Sequence, residues 1–526
     1  MSQTLVIDQI EKVFKEYQDS IFLIEEPLGT HLTYQEFCQL TLKAAELLKK
    51  RGIRKGDKVA IILTNCVEFV AFYFGLLRIG AIAVPINQTL HPKEINYILS
   101  CIDVRLIVFS MSTRPLVLAA NLGISCPQLC LLLRQEKVIH PEEIELFSLE
   151  IENVEGTKGN DVFGAMGEDV FTITFTSGTT SRPKGVMHRV ESQFASARAF
   201  NSELEINPHN RFINFWPMAY STGILNNLLC PFMAGASVVI SNVFDAQTLL
   251  NFWKPIITHH VNTIWLSPSM LAALFHVDRN PEGIKYCAEN KLTICVGTAP
   301  LPLKLKKDFE SKYQVTVFES YGLSELLFIS TNSRKFPQKE KSVGHLLPGV
   351  NIEIVDNEGN ILNGPSGGEI VVRTPFIMKG YLSFESNQPA KIYTQEDQFP
   401  TGDIGYMDEE GDVFITGRKK DLIIRGGLNI SPRVIEEVIL SHEAVQQVCV
   451  LGIPHEYYGE EIVAVIQCKE GYNFEEARPS LLQLCRANLN GASMPTRFIP
   501  KDKFSITVTG KIQKQKIREE VIQLLR

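Results

Sequence analysis

Thr33-Tyr34-Gln35-Glu36 has the form of a capping box, and Phe37, Leu40, Ala44, Leu47 and Leu48 recur at helical spacing until Gly52. This pattern predicts a helix of about four turns. Val59 to Leu63 is an apolar run, Phe69 to Leu77 has helical length, and Ile82 to Pro85 is apolar again, so the order reads strand, helix, strand. Phe171 to Phe175 alternates large apolar residues with hydroxyls, the signature of a half-buried strand. Further strands are expected at Ser237 to Ile240, Thr263 to Leu266 and Leu292 to Val296, separated by helix-length segments.

From Val350 the texture changes. Asn351 to Val355 and Glu369 to Arg373 flank a turn-rich stretch, and Tyr406 to Thr416 contains Asp-Glu-Glu-Gly before a second strand. The charged run Gly417-Arg418-Lys419-Lys420-Asp421 then separates this β texture from a last segment of domain size. There Ser431 and Pro432 read as an N-cap and first helical residue, and Gln446 to Ile453 and Ile462 to Cys468 read as strands. A final helix places Ile517, Val521 and Leu525 on one face. The expected fold class is α/β. Residues 1–419 form a large N-terminal domain of layered α/β subdomains plus a small β subdomain, and residues 420–526 form a small C-terminal α+β domain.

A length of 526 residues agrees with more than one domain. Hydrophobic residues at 45% and charged residues at 21% exclude disordered and collagen-like chains. The net charge of -7 supplies no global basic field, so neither nucleic acid nor an anionic membrane is an expected partner. Eleven scattered cysteines lack zinc-site spacing, and their odd number suits a reducing compartment. Met1 to Ser20 carries interspersed acids and no signal-peptide pattern, which makes the cytoplasm the expected location. The stretch Phe69 to Ile86 is broken by Arg78, Gly80 and Pro85, so no membrane insertion is expected.

The strand Phe171 to Phe175 runs into Thr176-Ser177-Gly178-Thr179-Thr180-Ser181-Arg182-Pro183-Lys184-Gly185. Glycines allow close backbone approach, hydroxyls and amides donate to phosphate oxygens, and the cations offset anionic charge. The composition therefore suits a polyphosphate, while the spacing excludes the Walker pattern. An ordinary turn-rich surface loop is the alternative from composition alone.

With this loop, the chain resembles the class I adenylate-forming superfamily, closest in motif style to acyl-CoA synthetases. The resemblance rests on that loop and, in the family's order, on Pro217 to Gly223, Gly297-Thr298-Ala299-Pro300, Glu319-Ser320-Tyr321-Gly322-Leu323-Ser324-Glu325, Thr401-Gly402-Asp403, Gly417-Arg418 and Thr509-Gly510-Lys511. It implies ATP contacts from Thr176, Ser177, Gly178, Thr179, Thr180, Lys184 and Gly185, and an adenine site along Thr298, Ala299 and Pro300 with Tyr321 stacked on the base. Ser320, Gly322 and Ser324 complete that strand, Ser324 keeping the hydroxyl of the family's usual Thr. Glu325 and Thr176 are the implied ligands of a Mg2+ ion, for which a carboxylate plus phosphate oxygens is the usual set. Asp403 and Arg418 are expected to hold the ribose, and Lys511 to bridge the acid and the α-phosphate.

Tyr220, Ser221, Gly223 and Gly297 are the implied acyl pocket, with Gly322 and other small residues leaving room for an apolar chain. Lys420 stands at the family's hinge for a mobile C-terminal domain, and Gly426 and Gly427 at a slender tunnel for the thiol arm. The implied reaction joins a carboxylate to AMP, releasing pyrophosphate, and then passes the acyl group to a thiol, that of CoA in an acyl-CoA ligase of fatty or other apolar acids. Two departures stand out: Ser181 replaces a usual Gly, and Ala492 to Arg497 is poorer in cations than the segment many CoA ligases carry there. The second leaves open a stand-alone enzyme loading the phosphopantetheine of a carrier protein. A non-catalytic nucleotide-binding relative is the third reading, opposed by the presence of Glu325, Asp403, Arg418 and Lys511.

Overall fold

The computed structural model describes residues 5–26, 28–120, 126–131, 133, 163–176, 183–362, 364, 367–382, 389–390, 398–505 and 512–525. Two large sheets form the body. In the first, described strands follow the order Pro389–Ala390, Gly380–Leu382, Lys184–Arg189, Val170–Thr176, Ile82–Pro85, Lys58–Ile62, Val104–Ser110 and Gln128–Leu131. The five from Val170–Thr176 onward are parallel, and the others join antiparallel. Parallel neighbours require crossovers, here supplied by the helices Val67–Ile79, Pro92–Cys101 and Arg114–Ala120.

The second sheet is built around six parallel strands: Val317–Leu323, Thr293–Val296, Thr263–Leu266, Arg211–Asn214, Ser237–Ile240 and Ile21–Glu25. Beyond Val317–Leu323 the ladder turns antiparallel through Leu327–Thr331, Ser342–Leu346, Asp412–Arg418, Phe399–Met407, Gly368–Arg373 and Asn351–Val355. The β texture expected after Val350 is thus continuous by hydrogen bonding with the main sheet.

Helices lie between these layers. Tyr34–Lys50 begins at the expected capping box: Thr33 Oγ1 accepts from Glu36 N at 3.2 Å, and Glu36 Oε2 accepts from Thr33 N at 2.7 Å. Val67–Ile79 has all of its residues buried, which its nearly unbroken apolar sequence requires of a helix covered on every side. Its one arginine, Arg78, donates to Thr41 Oγ1 at 2.6 Å and lies 4.6 Å from the Phe163 ring centroid. A left-handed Gly80 ends the helix, and the strand Ile82–Pro85 follows. Among the described residues no helix is long and apolar enough to cross a membrane. A third helix, Val190–Leu204, touches strands of both sheets, and Phe200 stacks on Phe328 with ring centroids 4.2 Å apart.

Val170–Thr176 corrects the half-buried reading. Thr172 is fully buried and Thr174 nearly so, because the strand lies inside the sheet with helices on the hydroxyl side as well. Thr172 Oγ1 finds the hydroxyl of Tyr73 at 2.8 Å, which satisfies a polar group that alternation assigns to solvent.

The chain changes sheets just after Arg418. A short 3-10 turn, Lys419–Asp421, leads to the hairpin Ile423–Arg425 and Leu428–Ile430, which edges a third sheet with Gly459–Cys468, Val445–His455 and Arg497–Pro500. Alternate residues of its long strands feed two cores: Val448, Val450, Ile462 and Ala464 meet the helices Pro432–Leu440 and Phe474–Asn488, while Cys449, Leu451, Val463 and Val465 meet Lys514–Leu524. Ile517 and Val521 are buried there, whereas Leu525 sits at the frayed end, 37% exposed. Ser431 does not cap its helix: its hydroxyl donates to Thr416 O at 2.6 Å, tying the small sheet to the large one.

The helix pair Tyr34–Lys50 and Val67–Ile79 meets at Gly75, where an added Cβ would lie 2.9 Å from Ala44 Cβ. Gly75→Leu is expected to destabilise the body by about 1–3 kcal/mol, read as a lowered urea midpoint; an unchanged midpoint would show that the helices separate freely.

Candidate active site

The carboxyl ends of the parallel strands in both large sheets lead to the same region, the usual ligand-binding edge of α/β sheets. From the first sheet comes the hairpin in which Thr176 pairs with Lys184. Ser177, Gly178, Thr179 and Thr180 of its connection lie outside the described residues. Lys184 is exposed, its ammonium 5.1 Å from the Tyr381 ring centroid. Gly185 is a strand residue, and an added Cβ would press on Ile173, Phe175 and Leu382 at 3.1–3.2 Å. Its missing side chain therefore serves packing under the hairpin.

From the second sheet come the turn after Thr293–Val296 and the end of Val317–Leu323. Thr298 takes a positive φ of 74°, unusual for a β-branched residue, and leads into Ala299 and Pro300. Tyr321 is half-buried and donates to Asp403 Oδ2 at 2.7 Å, while Arg418 Nε forms an ion pair with Asp403 Oδ1 at 2.7 Å. Burial and the Asp403 charge push the Tyr321 phenol well above its ordinary pKa, so it remains a donor. Asp403 is 2% exposed and its charge is compensated by these two partners, each oxygen retaining acceptor capacity for a sugar hydroxyl. The structure thus brings Tyr321, Asp403 and Arg418 together from three strands.

Ser320 bonds its hydroxyl to that of Thr331 at 2.8 Å. Ser324 and Glu325 sit in the tight turn that follows and are clasped from the first sheet. His188 Nε2 lies 2.6 Å from Ser324 O, Met378 N donates to Glu325 O at 2.7 Å, and Tyr381 Oη donates to Glu325 Oε1 at 2.6 Å. Glu325 Oε2 has no hydrogen-bond partner among the described residues. A hard carboxylate oxygen left available beside a phosphate-type hairpin fits a Mg2+ ion.

In the turn after Arg211–Asn214, Tyr220 accepts from Asn87 Nδ2 at 2.9 Å, and Asn65 accepts from Met218 N at 3.1 Å while donating to Trp216 O at 2.9 Å. Both asparagines follow strands of the first sheet and hold a turn of the second. Burial raises the Tyr220 pKa, keeping the ring neutral. Ser221 then opens a buried π-helix, Thr222–Leu229, a winding often found at functional sites.

At three of the small positions expected near an acyl chain, the place of a side chain is taken by backbone. A Cβ on Gly223 would lie 2.3 Å from Pro217 O, on Gly297 3.1 Å from Ser320 O, and on Gly322 2.2 Å from Leu327 O. Neighbouring carbonyls already fill these places, so the glycines permit close backbone approach.

In the C-terminal region, Lys420 is exposed in the turn after Arg418, and desolvation by the surrounding chain lowers its pKa against the opposing pull of Asp421. Gly426 and Gly427 have φ of 57° and 81°, as a two-residue hairpin turn demands, and the space beside Gly427 is open. Lys511 lies outside the described residues.

The layered fold and this seam define an adenylate-forming enzyme. Residues 10–382 match the model of the AMP-binding enzyme family, and residues 434–511 match that of the AMP-binding enzyme C-terminal domain. The chain belongs to the AMP-binding enzyme family. It is 28% identical over 504 residues to a long-chain-fatty-acid–CoA ligase of Mycobacterium tuberculosis, covering 94% of each chain. Identity to a medium-chain fatty-acid–CoA ligase of Escherichia coli (strain K12) is 26% over 537 residues, covering 98% of this chain and 90% of the relative. The fold superimposes on the crystal structure of ATP-bound MatB from Rhodopseudomonas palustris with a TM-score of 0.86 at 24% identity, all of both chains being covered.

The sequence reading missed Asn65, Asn87, His188 and Tyr381. Asn65 and Asn87 had a usable signal, since each lies just past an apolar strand. His188 and Tyr381 had none, because their partners are 136 and 56 positions away in the chain.

Burial lowers the pKa of His188 from 6.5 to about 4, so the folded protein holds it neutral. The unfolded chain gains a proton there below about pH 6.5, and the folded one only near 4. Stability contributed by the neutral ring is thus full above that range and lost as pH falls, by roughly 3 kcal/mol at the lower end. Urea midpoints between pH 7 and 5 are expected to fall less steeply in His188→Gln; an identical slope would assign the acid sensitivity elsewhere.

Proposed function

We propose that this enzyme is an AMP-forming acid–thiol ligase that activates a fatty or other apolar carboxylic acid with ATP and transfers the acyl group to CoA. The observation that carries this reading is the joining of Tyr321, Asp403 and Arg418 beside the Thr176–Lys184 hairpin and Glu325, which sets a ribose-type polar trio next to a phosphate-type one. The fatty acid–CoA ligases among the relatives favour the apolar acid. The turn that carries Tyr220 is bonded to the neutral side-chain amides of Asn65 and Asn87.

In the first half-reaction a carboxylate oxygen attacks the α-phosphorus, the bond from that phosphorus to the bridging oxygen breaks, and pyrophosphate leaves. Thr176 and Lys184 hold the departing phosphates, while Asp403 and Arg418 fix the ribose so that the attack stays in line. Glu325 and Thr176 would hold a divalent ion, which would supply charge neutralisation for the phosphates. Lys511 orients the acid and offsets charge on the pentavalent phosphorus. In the second half-reaction a thiolate attacks the acyl carbon and AMP leaves, the thiol arm entering by Gly426 and Gly427.

We place the domain boundary at Arg418 to Lys420, where the chain leaves one sheet for another, with residues 1–419 as the adenylation body and 420–526 as a mobile cap turning about Lys420. A second reading has one observation in its favour. Arg425 donates to Ala492 O and Arg497 bridges to Glu461 at 3.2 Å, so cations near residues 492–497 are spent internally. An acceptor presented by a carrier protein makes less demand on them than the phosphates of free CoA.

Exchange of labelled pyrophosphate into ATP is expected with medium or long fatty acids, and its absence across fatty, aryl and short branched acids would overturn the ligase reading. Product formation with CoA but not with a phosphopantetheinyl carrier separates the two acceptors; the reverse favours the second reading. Lys511→Ala is expected to cut exchange by at least about 100-fold while sparing thioester formation from supplied acyl-adenylate, and equal loss of both steps would refute the two-step division. Asn87→Ala, freeing the Tyr220 ring, is expected to raise KM for the acid by roughly tenfold with KM for ATP unchanged. A change confined to ATP would remove Tyr220 from the acyl site.

A further inference from the structure

Tyr381 stands outside the motifs named from the sequence, yet it touches both Lys184 and Glu325. It lies on Gly380–Leu382, which is zipped to Lys184–Arg189 by pairing of Gly380 with Met187 and Tyr381 with Val186, and by Lys379 N donating to Met187 O at 2.7 Å. Its ring face meets the Lys184 ammonium at 5.1 Å, and its hydroxyl donates to Glu325 Oε1 at 2.6 Å. The same segment holds the peptide of Glu325 through Met378 N. Backbone and carboxylate of Glu325 are therefore fixed by one short segment, Met378 to Tyr381, whose strand is registered on the hairpin strand that begins at Lys184.

We propose that Tyr381 is a positioning residue that aims the second oxygen of Glu325 at the divalent ion of the ATP complex and couples that carboxylate to Lys184. The inference rests on the metal role proposed for Glu325. A carboxylate whose one oxygen takes a short hydrogen bond loses its freedom to rotate and presents the other oxygen in a set direction. The donor here is neutral: a lysine or arginine in its place would hold the carboxylate equally well but would repel the metal and weaken the anion's pull on it. Partners of this kind, one bond removed from a metal, typically alter metal affinity by about 10–100-fold. The ring contact adds a second effect, since an ammonium over an aromatic face is attracted to it and keeps Lys184 beside the hairpin.

The test is calorimetric binding of a non-hydrolysable ATP analogue to the full-length enzyme, with Mg2+ and with EDTA, in wild type, Tyr381→Phe, Tyr381→Leu, Glu325→Gln and the Tyr381→Phe/Glu325→Gln pair. Tyr381→Phe keeps the ring and its packing, and is expected to weaken binding about tenfold with Mg2+ and not at all in EDTA. Tyr381→Leu is expected to show an additional loss of roughly threefold in both conditions, from the missing ring contact with Lys184. In the Glu325→Gln background Tyr381→Phe should have no further effect. Equal weakening with and without metal, or an effect of Tyr381→Phe that survives in Glu325→Gln, would overturn the positioning role. A wild-type advantage from Mg2+ that persists in Glu325→Gln would instead overturn the metal assignment of Glu325, so the two failures are distinguishable.

Discussion

The site depends on a polar clasp between the carboxyl ends of two buried sheets. Each sheet is held by apolar layers that are indifferent to small sliding movements, because hydrophobic burial has no direction. Direction comes from a few hydrogen bonds that cross the seam: Asn65 to Trp216 and Met218, Asn87 to Tyr220, His188 to Ser324, and Met378 and Tyr381 to Glu325. With them in place, the Thr176–Lys184 hairpin from one sheet and the group of Tyr321, Asp403 and Arg418 from the other come into fixed relation. The distances are short and the groups largely buried, so loss of a partner strands a desolvated polar atom.

Neutrality of the clasp matters as much as its geometry. A site for ATP already gathers several negative charges, which Lys184 and a divalent ion are proposed to offset. His188 is held uncharged by burial, and Tyr381 and the asparagines carry no charge at ordinary pH. These groups fix the seam without adding to the field that the substrates must meet. The charged partners Asp403 and Arg418 are matched to each other instead.

The C-terminal sheet shows the complementary arrangement. Its own cores lie on both faces, so it stands as a separate unit, and it reaches the body through polar contacts such as Ser431 to Thr416 and the 2.8 Å ion pair of Lys341 with Glu437. An exposed ion pair of this kind contributes little, about 1 kcal/mol or less. A lobe joined by such contacts and one short turn is suited to rotation, in keeping with the proposed role of Lys420.

Local pattern was enough for much of the fold. The capping box at Thr33, the wholly apolar run through Phe69 to Leu77 and the strands at Ser237, Thr263 and Asn351 each carry their cause within a few residues, since helix and strand periods are local properties. Asp403, Tyr321 and Arg418 stand in short motifs that single them out in the sequence, and the fold brings the three together. What tertiary structure decided was environment and partnership. Thr172 faces a helix rather than water, Ser431 serves a strand 15 residues away rather than its own helix, and Gly223, Gly297 and Gly322 give close approach to neighbouring carbonyls. Tyr381 acquires its relation to Glu325 only when two sheets meet. No local period encodes a contact between residues so far apart in the chain, because the position of each is set by the packing of everything between them.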